Sequence, residues 1–434
     1  MSDMQAEVLI IGSGAGGATV ATELAECGKD VLILEKGTDP GRPTLYKSPS
    51  SLGTQIIKLF KKCAGKKPAV RKIAVRSWIG LGGSSAVSSA NAVRSLEREL
   101  QYLGINIKDE SEELERKLKV TLFPENLMGR GALKLREAAD SLGIKMEPMP
   151  KFIDFNKCKS CGNCNLKCPS NAKWSALNFL KKAQDKGASL LQNATAIKVL
   201  SSNGKAIGVK AASLHEDIIV RASIIILAAG AIETSIILHN SGLDSAGRKL
   251  FCHPFHVIYG PSKDDFFTKE PRSLINQEFV EEKGFVLMNN IVSKSSKLIK
   301  HLSLSYKTQS NTGMLGIMVK IKDDYDGRVY DNGSIHKVLT LKDLDKIESS
   351  IPIAKEILVK AGVDHRHIKI KFHSGVHPGG TAAIGELVNQ SLETEIKNCY
   401  VSDASVLPSS SGLPPMLTIM ALSKRLAKRL SRIL

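Results

Sequence analysis

Residues 6–37, AEVLIIGSGAGGATVATELAECGKDVLILEKG, leave this chain little freedom in how it begins to fold. An apolar run, Val8 to Ile11, enters a turn with Gly12, Gly14 and Gly17 in G-x-G-x-x-G order. A helical stretch follows, then a second apolar run, Val31 to Leu34, closed by Glu35 and Lys36. Strand, glycine turn, helix, strand and terminal acid together describe a dinucleotide-binding βαβ unit. The first glycine permits a tight turn, the second lets the backbone approach a pyrophosphate, and the third lets the helix pack close on the strand. The turn residues Ser13, Ala15 and Gly16 lie at a helix N-terminus, where free N–H groups and the helix dipole favour a phosphate's charge. Glu35 is placed to accept hydrogen bonds from ribose hydroxyls. The motif alone does not separate FAD from NAD.

With 434 residues the chain is long enough for two or more domains, and at 42% hydrophobic and 24% charged it is ordinary globular material. The most apolar stretch, ASIIILAAGAI, is bracketed by Arg221 and Glu233, so no run reaches the roughly 18 residues that a membrane span needs. The opening MSDMQAEVLII has neither the charged region nor the cleavage site of a signal peptide, and the expected location is the cytoplasm. The net charge of +18 favours an acidic partner: nucleic acid, an anionic membrane surface, or an acidic protein such as a ferredoxin. Aromatic residues make up only 5% and no nucleic-acid module is present, so nucleic acid is set aside. A basic amphipathic helix over QIIKLFKKCAGKK, residues 55–67, is compatible with peripheral contact to anionic lipid, or with lying on the domain surface.

Further along, SWIGLGGSSAVSSANAVRS packs Gly82 and Gly83 against Ser84, Ser85 and Ser88, a density of small residues that lets backbone amides close on a ligand. Helical periodicity marks ELERKLKV, GALKLREAADSLGI, Ala176 to Lys186, and 341–362, the last capped by Gly362. Three strands are expected from SLLQNATAIKVL, AIGVKAAS and DIIVRASIIILAAGAIE, returning the chain to the dinucleotide domain. Strand-like KGFVLMNNIV, HLSLSYKT and MLGIMVKIK point to a substrate domain.

Three motifs carry chemistry. Cys158, Cys161, Cys164 and Cys168 stand at C-x2-C-x2-C-x3-C followed by Pro169, the ferredoxin run whose thiolates suit a [4Fe-4S] cluster. Zinc sites more often use two separated C-x2-C pairs. The fourth cysteine of such a run can ligate a second cluster, so Cys252 is an alternative fourth ligand. HSGVHPGGTAAIG sets His377 on a rigid turn, suited to a general base facing a planar cofactor, with His373 four residues before it. Finally, a short strand from Cys399 to Ser402 ends in Asp403, and a proline-rich turn with Pro414, Pro415 and Met416 leads into a closing amphipathic helix. An acid at the end of a late strand, after an N-terminal dinucleotide motif, shifts the cofactor from NAD to FAD.

In this order the motifs resemble the glucose-methanol-choline (GMC) oxidoreductases, FAD enzymes that oxidise alcohols. GSGAGG with Glu35, GLGGSSAVSSANAVR, ATAIKV, ILAAGAIETSIIL, GIMVKIKD, HPGGT, VSDASVLP and PPMLTIMA all take part, and some two thirds of the chain is covered. The resemblance implies an α/β fold. A Rossmann-like FAD domain is assembled from 1–100, 185–260 and 372–434, a helical segment with the cysteines spans 101–184, and a substrate domain on an antiparallel sheet spans 261–371. It implies that Gly12, Gly14, Gly17 and Glu35 bind the ADP half and that Gly82, Gly83, Ser84 and Ser85 line the pyrophosphate and flavin. Ala196 falls beside the adenine, Ala229 and Gly230 in the same site, and Asp403 near the ribityl chain. His377 becomes the base that takes the hydroxyl proton of a small-molecule alcohol while hydride passes to flavin N5. The family usually offers Asn or a second His near the closing helix; here Pro414 stands there, and Ser88 stands where many members carry Asn. His373 or a group of the substrate domain is left to supply the missing contact. With a cluster present, a ferredoxin or membrane quinone becomes the expected electron acceptor. The competing readings are a ferredoxin-fed flavin reductase that saturates a C=C bond, and an electron-transfer subunit of a larger complex.

Overall fold

The computed structural model describes residues 3–38, 44–47, 71–165, 168–262, 270–291 and 314–434. The expected lipid-touching helix at 55–67 and the strand HLSLSYKT lie outside these residues. No described helix is long and apolar enough to cross a membrane.

The first sheet grows from β1 (Asp3–Ile11), α1 (Ala15–Glu26) and β2 (Val31–Glu35). β1 lies between β2 and the long strand Asp217–Leu227, parallel to both. Its core-facing run Val8 to Ile11 is buried on both sides, which is why the run is continuously apolar rather than alternating. Beyond β2 lies Ser189–Gln192, parallel; beyond 217–227 lie Lys205–Ala212 and Thr195–Ser202, antiparallel. The short strand Cys399–Val401 pairs in parallel with the C-terminal end of 217–227. α1 packs between the closing helix Met416–Leu430 and the helix Ala176–Asp185.

Two expectations are refined. SLLQNATAIKVL forms two strands rather than one, because Asn193 sits at a φ of +54° and the chain turns there while Ala194 N–H donates to the Glu35 carbonyl. In ASIIILAAGAIE the strand ends at Leu227, and a helix, Ala231–Asn240, begins beyond the glycine at 230.

The second sheet is antiparallel throughout, in the order Lys369–Gly375, Pro254–Pro261, Met314–Ile321, Phe285–Asn289, Leu274–Asn276 and Glu147–Pro148. Alternation along Met314–Ile321 splits its side chains between two cores. Ile317, Val319 and Ile321 join the cluster that includes Ile347, Ile357 and Leu358 of the helix Leu341–Lys360, whereas Met318 joins Val257, Val286 and Met288 on the other side. That helix starts on a Thr340–Asp343 capping box, and the chain reverses after it at Gly362, where φ is +87°.

Candidate active site

The glycine turn is built by contacts that leave no room for side chains on one side and open space on the other. A Cβ on Gly17 would sit 2.0 Å from the Gly12 carbonyl oxygen, and one on Gly16 would sit 1.8 Å from that of Ser402. These two glycines let α1 lie against β1 and against the end of strand 399–401. A Cβ on Gly14 would meet nothing within 4 Å, so the open side of the turn faces free volume at the N-terminus of α1. Glu35 fixes the turn from below. One carboxylate oxygen accepts from Ser13 N–H at 2.9 Å and from Ser13 Oγ at 2.6 Å, and the other accepts from Gly37 N–H at 2.7 Å. Ser13 Oγ in turn accepts from Gly82 N–H at 3.0 Å, which ties the second glycine loop to the first.

Asp403 does the same at the end of the late strand. Its Oδ2 accepts from Gly230 N–H at 2.8 Å and Thr234 Oγ1 at 2.6 Å; its Oδ1 accepts from Ser405 N–H at 2.8 Å and from the Ser405 hydroxyl. Burial pushes the Asp403 carboxyl up, and these donors oppose the shift. The result brings the N-terminus of helix Ala231–Asn240 beside that of α1.

Between these elements and the antiparallel sheet lies a cavity with about 2350 Å³ of space, partly open to solvent. Of the residues singled out from the sequence, Gly12, Ser13, Gly14, Ala15, Gly16, Glu35, Lys36, Gly83, Ser84, Ser85, Ser88, Ala196, Ala229, Gly230, His377, Asp403, Pro415 and Met416 line it. Gly17 and Gly82 stand behind the lining as packing and hydrogen-bonding positions. His373 is not brought into it: its ring stacks on Phe255 at 4.6 Å and borders a separate recess beside His256 and Phe372. Two helix N-termini, an open glycine turn and a carboxylate at the end of β2 suit an elongated dinucleotide, and the residues present fit FAD.

His377 is held by a second histidine that the sequence reading missed. Its Nδ1 lies 3.1 Å from Nδ1 of the fully buried His253, whose Nε2 accepts from Gly412 N–H at 3.1 Å. Burial, then the charge of Lys320, holds both rings well below the ordinary imidazole range, so both are neutral. A neutral His253 that accepts at Nε2 carries its proton on Nδ1 and donates it to His377 Nδ1. His377 then carries its own proton on Nε2. Buried Asp323 fixes this pair, accepting from the N–H groups of Cys252 and His253 and from Ser410 Oγ, and it faces Lys337 at 3.3 Å.

Also missed were Arg272 and Lys320, which line the same cavity. Arg272 donates to Ser89 Oγ at 3.1 Å, Asn165 Oδ1 at 3.4 Å and Asn290 Oδ1 at 2.9 Å. Lys320 was legible in principle, as a charged residue in phase with Met318 within an otherwise apolar strand, MLGIMVKIK.

The cysteine tract borders this wall. Burial pushes the Cys158 thiol up, and Cys164, Cys168 and Cys161 add to the effect by their proximity. Cys168 is shifted down: against burial, hydrogen bonds from Ser170 and from the backbone at 170, 172 and 173 favour its thiolate. Cys252, by contrast, is fully buried beside Asp323, Lys337 and Asp343, so the fourth thiol grouped with the tract is Cys168. Among the described residues, no three His, Cys, Asp or Glu side chains are arranged to hold a metal ion.

Comparison with known proteins bears on the whole chain. Residues 6–255 match the N-terminal model of the GMC oxidoreductases and residues 343–423 the C-terminal one. An uncharacterised protein of Methanocaldococcus jannaschii is 30% identical over 97% of this chain and 98% of its own length. A long-chain-alcohol oxidase of Arabidopsis thaliana is 24% identical over 99% of this chain and 68% of its own. The crystal structure of pyridoxine 4-oxidase from Mesorbium loti superposes with a TM-score of 0.72, at 16% identity, over 98% of this chain and 99% of that one. With the matched segments spanning both ends and the fold shared throughout, the chain belongs to the GMC oxidoreductase family and is an FAD-dependent oxidoreductase.

Proposed function

We propose that this enzyme oxidises the CH–OH group of a small-molecule alcohol, with FAD lying along the cavity from Glu35 to His377. The observation that carries this reading is that a single cavity joins the glycine turn, Asp403 and His377. Bound FAD supplies the hydride acceptor. Glu35 would hold the adenosine ribose, the N-termini of α1 and of helix Ala231–Asn240 the pyrophosphate, and the Asp403 region the ribityl chain. His377, neutral and braced by His253, meets the substrate oxygen. Phe255, Met288 and Met318 give that end of the cavity an apolar wall, which suits an alcohol with a hydrocarbon or ring body. The division into FAD, cysteine-bearing and substrate segments at 1–100, 185–260 and 372–434, 101–184, and 261–371 belongs to the same proposal, except that strands Pro254–Pro261, Lys369–Gly375 and Glu147–Pro148 lie in the antiparallel sheet across its boundaries.

The finer part concerns the oxidative half. A [4Fe-4S] cluster at Cys158, Cys161, Cys164 and Cys168 would relay electrons one at a time to an acidic ferredoxin or a quinone. Two features support it. Fully buried Lys151 donates to the neutral oxygens of Ser89 and Asn91; burial pushes it down to about 7, and the neighbouring Cys164 and Cys158 oppose that shift. Arg272 likewise has Cys164 beside it. A negatively charged cluster at these thiols would favour the charged form of both side chains against their burial.

The test is an anaerobic one, on protein purified without oxygen and analysed first for flavin, iron and sulfide. Hexadecan-1-ol and pyridoxine, chosen after the relatives' substrates, are expected to include a compound that bleaches the flavin. The His377→Ala variant is expected to do so at least about a hundredfold more slowly. Unchanged bleaching in that variant removes His377 from the mechanism. Bleaching by reduced ferredoxin alone reverses the electron flow and selects the reductase reading. Flavin without iron removes the relay and leaves oxygen or artificial acceptors.

A further inference from the structure

The charges that line the cavity are unevenly matched. Among the described residues its acids are Glu35, Glu233 and Asp403, all on elements of the first sheet. Each is already engaged: Glu35 by Ser13 and Gly37, Asp403 by Gly230, Thr234 and Ser405, and Glu233 by Lys36 at 3.1 Å. The antiparallel sheet adds no acid to the lining. It adds Lys320, on the strand Met314–Ile321, and Arg272, just before the strand Leu274–Asn276.

Lys320 pairs across the sheet with Phe255 on one side and Val286 on the other, and Met318, two residues before it, pairs with Met288. Directly opposed and alternate residues share a face, so Lys320 stands in one wall with Phe255, Met288 and Met318. It is only 5% exposed and has no hydrogen bond or ion pair to a described residue. Arg272 gives three N–H donors to the neutral oxygens of Ser89, Asn165 and Asn290, and its buried Nε has no partner. Burial and then Arg272 push Lys320 down to about 7, and the charge of Lys320 bears in turn on His253 and His377. Cys164 bears on Arg272, but no described acid or thiol bears on Lys320. A cationic wall without a counter-charge is costly, and an anion bound beside it favours the charged form.

We infer that Lys320 and Arg272 receive an anionic group of the substrate, a carboxylate or a phosphate, at the end of the cavity that holds His377. This rests on the CH–OH reading above and narrows it: the substrate is an alcohol whose apolar body carries an acid. The anion accepts charge-assisted hydrogen bonds from the ammonium and the guanidinium, while Phe255, Met288 and Met318 pack against the body. No bond is made or broken at this subsite, which recognises and positions. Seated there, the anion offsets the positive charge that bears on His377. A neutral alcohol leaves both polar side chains unmatched, and the subsite discriminates against it for that reason.

Calorimetric titration of the holoenzyme with para-toluate, para-tolyl phosphate and the neutral para-toluamide reads the subsite without turnover. At least one of the two anions is expected to bind about tenfold or more tightly than the amide, and which one it is separates carboxylate from phosphate. Lys320→Met, with its flavin content and thermal midpoint matched to wild type, is expected to lose that preference. Lys320→Arg, which keeps a charge in the wall, is expected to retain most of it, and Arg272→Gln to weaken it independently. Turnover is then followed with para-hydroxymethylbenzoate, para-hydroxymethylphenyl phosphate and benzyl alcohol. The favoured anionic alcohol is expected to exceed benzyl alcohol at least about tenfold in kcat/KM for flavin bleaching in the wild type, and to lose that lead in Lys320→Met. No preference for either anion in the wild type, or a preference that survives intact in Lys320→Met, overturns the inference. Anions bound through Lys320 while none of the alcohols bleaches the flavin uphold the subsite, and it is then the CH–OH reading that fails.

Discussion

His253 is completely buried, and its two ring nitrogens have different partners, Gly412 N–H at Nε2 and His377 at Nδ1. A backbone N–H can only donate, so it dictates where the proton on His253 resides and, one bond further, where the proton on His377 resides. The expected outcome is that 15N NMR of histidine-labelled enzyme finds His377 protonated at Nε2 and bare at Nδ1. In His253→Phe the two tautomers of His377 are expected to mix. A wild-type His377 protonated at Nδ1 overturns the assignment. His377 is legible through its HPGGT turn, but His253 in FCHPF reads as one histidine among ten. Its role depends on a neighbour 124 residues away.

At the scale of one element, α1 and its glycine turn separate two kinds of glycine that look alike in the motif. Gly14 is open and at a φ of −66°, a conformation any residue adopts, whereas Gly16 is pressed against the Ser402 carbonyl. Gly14→Ala is therefore expected to leave the apoprotein's thermal midpoint close to wild type while weakening FAD binding, since its methyl enters the space left for the pyrophosphate. Gly16→Ala is expected to destabilise the apoprotein by about 1 to 3 kcal/mol, because α1 must move off strand 399–401. Urea titration of the apoproteins together with flavin titration checks both, and equal losses of stability in the two variants would contradict the assignment. The G-x-G-x-x-G spacing identified the unit. Gly16, outside the three spaced positions, is restrained by strand 399–401 from the far end of the chain, which spacing cannot encode.

At the scale of the whole molecule, several histidines are enclosed without a carboxylate, and this links stability to pH. Burial, then His373, pushes His256 down to about 3, and burial, then nearby Lys371, Arg76 and Arg272, pushes His373 down to about 4. His253 and His377 are shifted in the same direction. In the unfolded chain these rings take up protons below about pH 6.5. The unfolded state therefore binds more protons than the folded one as pH falls from 6.5 toward the folded values, and stability drops with it. His256 alone contributes a slope of about 1.4 kcal/mol per pH unit over the lower part of that range. Buried Asp323, Asp403 and Glu270, whose carboxyls are pushed up by burial, act in the opposite sense, so the informative measurement is a comparison. The urea midpoint of His256→Phe is expected to fall less steeply between pH 6 and pH 4 than that of the wild type. Parallel curves would mean that His256 is protonated in the fold.

What the sequence determined by itself was whatever depends on neighbours in the chain. The strand–turn–helix at 6–37, the helix at 341–362 and the buried apolar strands follow from periodicity and from glycine spacing, which are local rules. The order of the motifs was enough to carry the family resemblance. The folded chain alone shows that His253 stands against His377, that His373 lies outside the cavity, that Cys168 rather than Cys252 joins the thiols, and that Lys320 and Arg272 line the cavity. Each of these is set by hydrogen bonds, charge and desolvation between segments more than a hundred residues apart or on different strands. Such contacts come into being only when the two sheets close on one another, and no window along the chain contains them.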